Sequence, residues 1–358
     1  MAMSKETSDF SERETSNPVV SFIKYFIPWK GDKSSEVVRK AVFMASVVLF
    51  VMSVGQLRDY LGTSGEGERS YIQGVVEQYE PQFDDSVEYE VNTGNKDIDI
   101  STPEDTHKKR EVQKWAKELL DRNKDVVGWI KIPGFTDYYD DEFINFPVLQ
   151  GKDNDEYLYK DLDRNYYESG SIFADAWSTM NEDGQTDNIT IFGHHMGWVG
   201  TSFTHLSEYE QGVDFLKEHP IIEFNTVYES GCKYAIVSCF MINTNASDDN
   251  GSLWEYIGYR DFNEDYKFDD WYNEITRRSW YANDSIRCTE DDKYITLSTC
   301  SKLLDDMRWV IVAKKLTSDD DVKLITESYK AKADDDIYLP QAWVDTYGNT
   351  TVYNGWEY

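Results

Sequence analysis

The stretch Thr296-Leu297-Ser298-Thr299-Cys300 is followed, eight residues past its cysteine (308 − 300), by Arg308-Trp309-Val310-Ile311-Val312-Ala313. Both pieces are rich in β-branched and apolar side chains, so each predicts a strand, with a short polar loop between them. Two strands joined this way set a thiol and a guanidinium side by side at one end of a sheet. The pair has chemical meaning: a cationic neighbour favours the nucleophilic thiolate. Arginine also offers a fork of donors to a developing oxyanion.

Such a pair needs a base, and the chain has five histidines. His107 lies in the charged stretch Glu104-Asp105-Thr106-His107-Lys108-Lys109 and reads as solvated; His205 and His219 fall in helix-like segments and read as structural. His194 differs. It follows Asn188-Ile189-Thr190-Ile191-Phe192-Gly193, an apolar, β-branched run stopped by glycine, hence a strand ending at a turn. That puts it at a sheet rim, where catalytic groups are commonly held. His195 points the opposite way if the strand geometry continues, so at most one of the two is expected to face the thiol.

Gly193-His194-His195-Met196, then Leu297-Ser298-Thr299-Cys300, then Arg308 resemble the His, Cys and Arg signatures of sortases, in that family's order. Further blocks resemble the N-terminal half of class B sortases: Asp125-Val126-Val127-Gly128-Trp129-Ile130, Phe146-Pro147-Val148-Leu149-Gln150, Asp153-Asn154-Asp155-Glu156-Tyr157-Leu158 and Gly170-Ser171-Ile172-Phe173-Ala174-Asp175. The likeness spans about 109–315. It implies a cysteine transpeptidase of the Gram-positive cell surface, which cleaves a sorting signal near the C-terminus of a secreted protein and joins the acyl end to an amine. By that resemblance Cys300 is the nucleophile, His194 the proton carrier and Arg308 the oxyanion donor. Ser298 and Thr299, flanking the thiol, are candidates for substrate contact.

Composition narrows the alternatives. A formal charge of −31 argues against nucleic acid, whose phosphates require a basic surface. Hydrophobic residues make up 40% and aromatics 15%, with 11 Trp and 25 Tyr, enough for a substantial core. The four cysteines, Cys232, Cys239, Cys288 and Cys300, lack the two-residue gaps of a zinc site, so neither metal nor cofactor is expected. Cys232 and Cys239 read as opposite faces of one strand, too far apart to bridge.

Along the chain, residues 1–40 are polar with one apolar patch at 19–27, either a short interfacial helix or a disordered tail. Residues 41–57 are almost wholly apolar, near the lower limit for a membrane span. A cleaved signal peptide fits the run, but a leader of about 40 residues is long, so an uncleaved anchor is expected. Lys24, Lys30, Lys33, Arg39 and Lys40 precede the run and only Arg58 and Arg69 follow closely, which keeps the N-terminus cytoplasmic and the rest of the chain extracellular. The acidic stretch 58–106 reads as a stalk. A catalytic domain is expected over 107–316, opened by a helix over 108–123 whose Val112, Trp115, Ala116, Leu119 and Leu120 form one stripe.

Eight short apolar runs follow, at 128–132, 146–149, 171–173, 189–192, 221–224, 234–240, 294–297 and 309–313. They predict a closed antiparallel barrel of about eight strands, mainly β with added helices. Phe268, Trp271, Tyr272 and Ile275 predict a helix within 267–280, where class B sortases carry one beside the substrate groove. Residues 317–358 form the last segment: Asp319-Asp320-Asp321 suit the start of a helix within 316–333, and the end is rich in Trp and Tyr, without functional signal. The expected partners are thus sorting-signal proteins, an amine of peptidoglycan or of a pilin lysine, and the plasma membrane. The competing classes are a surface cysteine protease that only hydrolyses and a membrane-anchored binding protein with an inert Cys300.

Overall fold

The computed structural model describes residues 25–81, 109–136, 142–196, 202–246, 253–301 and 303–351, without the side chains of 57–65. His107, residues 19–24 of the apolar patch and most of the expected stalk lie outside the described residues. The chain divides into two compact units, Met1–Gly65 and Glu66–Tyr358.

Helix α1 runs Ser34–Tyr79, beginning in the first unit and ending in the second. Its portion Ser34–Gln56 is long and apolar enough to cross a membrane. There Val38, Val42, Val48, Leu49, Phe50 and Val51 are all exposed. An all-round apolar helix surface of this kind suits lipid rather than water. The helix starts before the expected position 41, because Lys40 pairs with Asp32 at 2.8 Å and so sits among apolar turns with its charge matched.

The second unit corrects the stalk. From Glu66 the chain is already part of the folded unit, and α1 continues to Tyr79. Tyr71, Ile72, Val75, Val76 and Tyr79 form a stripe of helical period, and Val75 is buried with Ala116, Leu119 and Trp129. Tyr71 donates to Asp163 at 3.2 Å, and the Glu68 carboxylate accepts from Ser169. Glu77 within the stripe, with Glu66, Glu68 and Glu80 around it, masked the pattern. Helix α2, Ala116–Arg122, is shorter than the expected 108–123. Ahead of it, Arg110 N–H donates to the Glu182 carbonyl and Gln113 N–H to the Val227 carbonyl, both at 2.8 Å, so this backbone is spent on tertiary bonds. Val112, Trp115, Ala116, Leu119 and Leu120 pack in one cluster as the stripe requires.

The strands are β1 (Val126–Lys131), β2 (Asn145–Leu149), β3 (Ile172–Ala174), β4 (Met180–Asn181), β5 (Gly184–Gln185), β6 (Asn188–Phe192), then helix α3 (Val213–Glu218), β7 (Ile221–Thr226) and β8 (Lys233–Asn243). Helix α4 (Phe268–Arg278), β9 (Tyr281–Ala282), β10 (Tyr294–Cys300) and β11 (Met307–Lys315) follow. Helix α5 (Val322–Ser328), β12 (Lys330–Ala331) and helix α6 (Gln341–Tyr347) complete the described fold. Each of the eight expected runs falls on a barrel strand, and the barrel closes in the order β1-β2-β3-β6-β10-β11-β8-β7. It is not wholly antiparallel: β2 pairs with β3, and β6 with β10, in parallel. Each of those pairs is joined by a long crossover, which parallel neighbours require.

Alternation sorts the side chains. Ile295, Leu297, Trp309, Ile311 and Ala313 fill the barrel interior. Tyr294, Val310 and Val312 face out and are covered by Trp271 and Ile275 of α4, the helix expected within 267–280. The C-terminal segment also packs on the barrel. Helix α5 is shorter than the expected 316–333, with Asp321 accepting the Leu324 N–H at 3.1 Å as its cap. It ends because Tyr329 is buried with its hydroxyl on the Ile236 carbonyl at 2.6 Å, and Lys330–Ala331 pairs with β9.

Candidate active site

The parallel pairing of β6 with β10 sets the site. Parallel neighbours end at the same rim, so Phe192 lies opposite Ser298, and Gly193 N–H donates to the Ser298 carbonyl at 3.2 Å. The histidines that follow β6 therefore emerge at the end of the barrel where Cys300 closes β10. A side chain at Gly193 would meet Ile172 and Phe203 within 2.7 Å, so only glycine allows the strand to end this close to its neighbours.

From the other side, Cys300 and Arg308 are direct partners across the β10/β11 hairpin. Arg308 Nη1 donates to Cys300 Sγ at 2.8 Å. Both residues occupy outward positions of their strands, and Cys300 is half-buried. The thiol and guanidinium expected to meet are in contact. The other thiols differ: burial pushes Cys232 and Cys288 up to about 11, and Cys239, wholly enclosed, is raised as well. All four cysteines are free.

The two histidines hold different main-chain carbonyls. His194 Nε2 lies 2.8 Å from the Leu158 carbonyl, and its ring packs against Tyr159 at 5.4 Å between centroids. A carbonyl only accepts, so Nε2 carries the proton of the neutral ring and Nδ1 is the basic nitrogen. His195 Nδ1 lies 2.9 Å from the Cys300 carbonyl, which makes Nε2 its basic nitrogen. Both backbones are pinned: Phe203 N–H donates to the His194 carbonyl at 3.0 Å, His195 bridges Ser202, and Met196 N–H donates to Thr204 Oγ1 at 2.9 Å.

Ser298 shares the outward face of Cys300, and its hydroxyl is hydrogen-bonded to that of Tyr256 at 2.8 Å. Thr299 takes the inward alternation of Leu297. Each of the two is 2% exposed. Tyr256 itself was not legible: it belongs to a one-turn segment in the long gap before α4, where no period marks it. Nor were Leu158 and Tyr159 singled out, although the block ending at Leu158 drew the family resemblance. His205 stacks on Phe143 at 3.7 Å and bonds Glu208 at 2.7 Å, while His219 packs against Phe135 and burial lowers its pKa. Among the described residues, no group of three or more His, Cys, Asp or Glu side chains is arranged to hold a metal.

The sortase domain model matches residues 130–316, a stretch that includes His194, Cys300 and Arg308. Sortase B of Staphylococcus aureus is 34% identical over 194 residues, covering 54% of this chain and 70% of that protein. Sortase B of Listeria monocytogenes is 33% identical over 209 residues, covering 58% and 76%. Among solved structures, the crystal structure of Staphylococcus aureus sortase B is 33% identical, with a TM-score of 0.48, covering 58% of this chain and 89% of that one. The chain therefore belongs to the sortase family, as a cysteine transpeptidase of class B.

Proposed function

We propose that this protein is a membrane-anchored transpeptidase that cleaves a C-terminal sorting signal through Cys300 and passes the acyl group to an amine. The observation that carries the reading is the 2.8 Å contact of Arg308 Nη1 with Cys300 Sγ. The Cys300 thiol passes its proton to Nδ1 of His194, Sγ attacks the scissile carbonyl carbon, and the oxygen takes the negative charge of a tetrahedral intermediate. Arg308, already beside the sulfur, donates to that oxyanion. Collapse breaks the C–N bond, and His194 gives a proton to the departing amine. An incoming amine then attacks the thioester carbonyl and His194 removes its proton. The C–S bond breaks, and the leaving sulfur takes that proton from His194, which regenerates the thiol and the neutral ring. His195, donating to the Cys300 carbonyl, braces the main chain of the nucleophile.

Ser298, behind the thiol on its outward face, shapes the floor of the peptide path through its bond to Tyr256. With its inward alternation, Thr299 contributes through its main chain. Helix Ser34–Gln56 is the anchor. The cluster Lys30, Lys33, Arg39 and Lys40 at its start keeps the N-terminus cytoplasmic and leaves the unit from Glu66 outside. The acceptor is an amine of the cell wall or of a pilin lysine.

Incubating the full-length chain in detergent with a panel of sorting peptides, with and without amines such as oligoglycine, tests this. The expected product is a peptide–amine conjugate formed through a thioester that hydroxylamine traps. Hydrolysis alone in the presence of every amine would make it a protease. A Cys300 that neither acylates nor reacts with alkylating reagents would make it a binding protein.

A further inference from the structure

The segment beyond residue 316 lies outside the sortase-domain match, yet it reaches the loop that joins Cys300 to Arg308. Helix α6 presents Trp343 and Tyr347, four residues apart on one face, with ring centroids 4.6 Å apart. Trp343 is fully buried and packs on Trp280 at 5.9 Å, which packs on Trp309 at 4.9 Å, the residue after Arg308. Tyr347 then donates its hydroxyl to the Leu303 carbonyl at 3.2 Å, and Leu303 and Leu304 pack against the same core as Val344 and Tyr347. A second anchor grips the far end of the loop. Thr244, just past β8, donates from N and Oγ1 to the Asp306 carbonyl at 2.8 and 2.7 Å, and Asn245 Nδ2 donates to Asp306 Oδ2 at 3.1 Å. Asp306 holds φ 61°, a left-handed conformation that a non-glycine residue rarely keeps without outside support.

We propose that the C-terminal segment, through Tyr347, is a positioning element that holds the β10/β11 loop so that Arg308 meets Cys300. The proposal rests on the reading of Cys300 and Arg308 as the reacting pair. The loop spans the hairpin carrying both side chains, so its hold at Leu303 sets how far their ends can swing apart. In enzymes, a misplacement of about 1 Å from a change away from the chemistry costs on the order of 100-fold; loss of one loop bond should cost less.

The test compares Tyr347→Phe with Tyr329→Phe in the full-length chain. Both variants keep the ring and lose one hydroxyl bond from the C-terminal segment to a main-chain carbonyl, to Leu303 and to Ile236 respectively. Two quantities are read: kcat and KM for transfer, and the alkylation rate of Cys300 located by mass spectrometry, each with Arg308 intact and in Arg308→Ala. The expectation for Tyr347→Phe is a fall of about tenfold in kcat with KM within about twofold, and a change in Cys300 alkylation that disappears in the Arg308→Ala background. Tyr329→Phe should lower thermal stability while leaving alkylation unchanged. The proposal is overturned if Tyr347→Phe changes neither quantity, if its effect persists undiminished without Arg308, or if Tyr329→Phe reproduces it. Alkylation does not depend on transfer, so a chain with no transfer activity would sink the functional reading while still reporting on the loop.

Discussion

Arg308 reaches Cys300 across a single hairpin, as its direct cross-strand partner, whereas His194 and His195 arrive from a strand much earlier in the chain. The first arm is local: once β10 and β11 pair in register, the guanidinium has nowhere else to stand. The second depends on the β6/β10 pairing, on Gly193, and on the bonds from Phe203 and Thr204 that fix the backbone past the strand. One consequence is that a single strand pairing places Arg308 against Cys300, while two adjacent histidines compete for one role.

The largest expected effect removes what both arms serve. Cys300→Ala should abolish cleavage and transfer with little loss of stability, because one small side chain replaces another at a rim. Alkylation at pH 8 should then nearly cease. Cys232 and Cys288, pushed up to about 11 by burial, remain protonated there, and their thiolate dominates only above about pH 11. Loss of chemistry in a folded Cys288→Ala variant, with Cys300→Ala still active, would overturn the site.

Next comes the histidine arm. His194→Ala is expected to lower kcat by about 100- to 10,000-fold, the usual range for a positioned acid–base group. His195→Ala should cost far less, since its ring braces a carbonyl. Kinetics of both folded variants decide; a larger loss for His195→Ala would reverse the two roles.

The arginine arm should follow. Arg308→Lys is expected to lose about 100- to 1,000-fold although the charge is kept, because lysine lacks the planar fork that an oxyanion and a sulfur share. Rates of Arg308→Lys and Arg308→Ala across pH, with peptide and amine present, check this. A lysine variant near the wild-type rate would reduce the arm to its charge.

Smallest is Thr204→Val, which deletes the hydroxyl that accepts from Met196 N–H. The loss of one such bond, about 1 kcal/mol, should slow transfer by roughly fivefold while leaving Cys300 alkylation untouched. Equal effects on both would show that the arms are mechanically one.

The same contrast explains what was legible. The β10/β11 hairpin, the other six barrel strands, α4 and the apolar helix are marked by local periods of two or 3.6 residues, and each was found where its pattern lay. Helix 66–79 was missed although its stripe is regular, because Glu66, Glu68, Glu77 and Glu80 in and around it pointed to solvated chain. Its value lies in Val75 meeting Trp129 and Leu119, a surface supplied by the rest of the fold. Tyr256 and the C-terminal Trp343 and Tyr347 were silent for the same reason: an isolated aromatic has no period, only neighbours.

By itself the sequence determined the strand positions, the pairing of Cys300 with Arg308 and the apolar helix, because these follow from side-chain alternation and short-range connection. Only the tertiary structure decided that β6 and β10 run parallel, which of two histidines faces which carbonyl, and that helix α6 touches the loop between Cys300 and Arg308. Those outcomes depend on contacts between residues far apart in the chain, whose closure is selected by the packing of the whole barrel and leaves no periodic trace in the segments that meet.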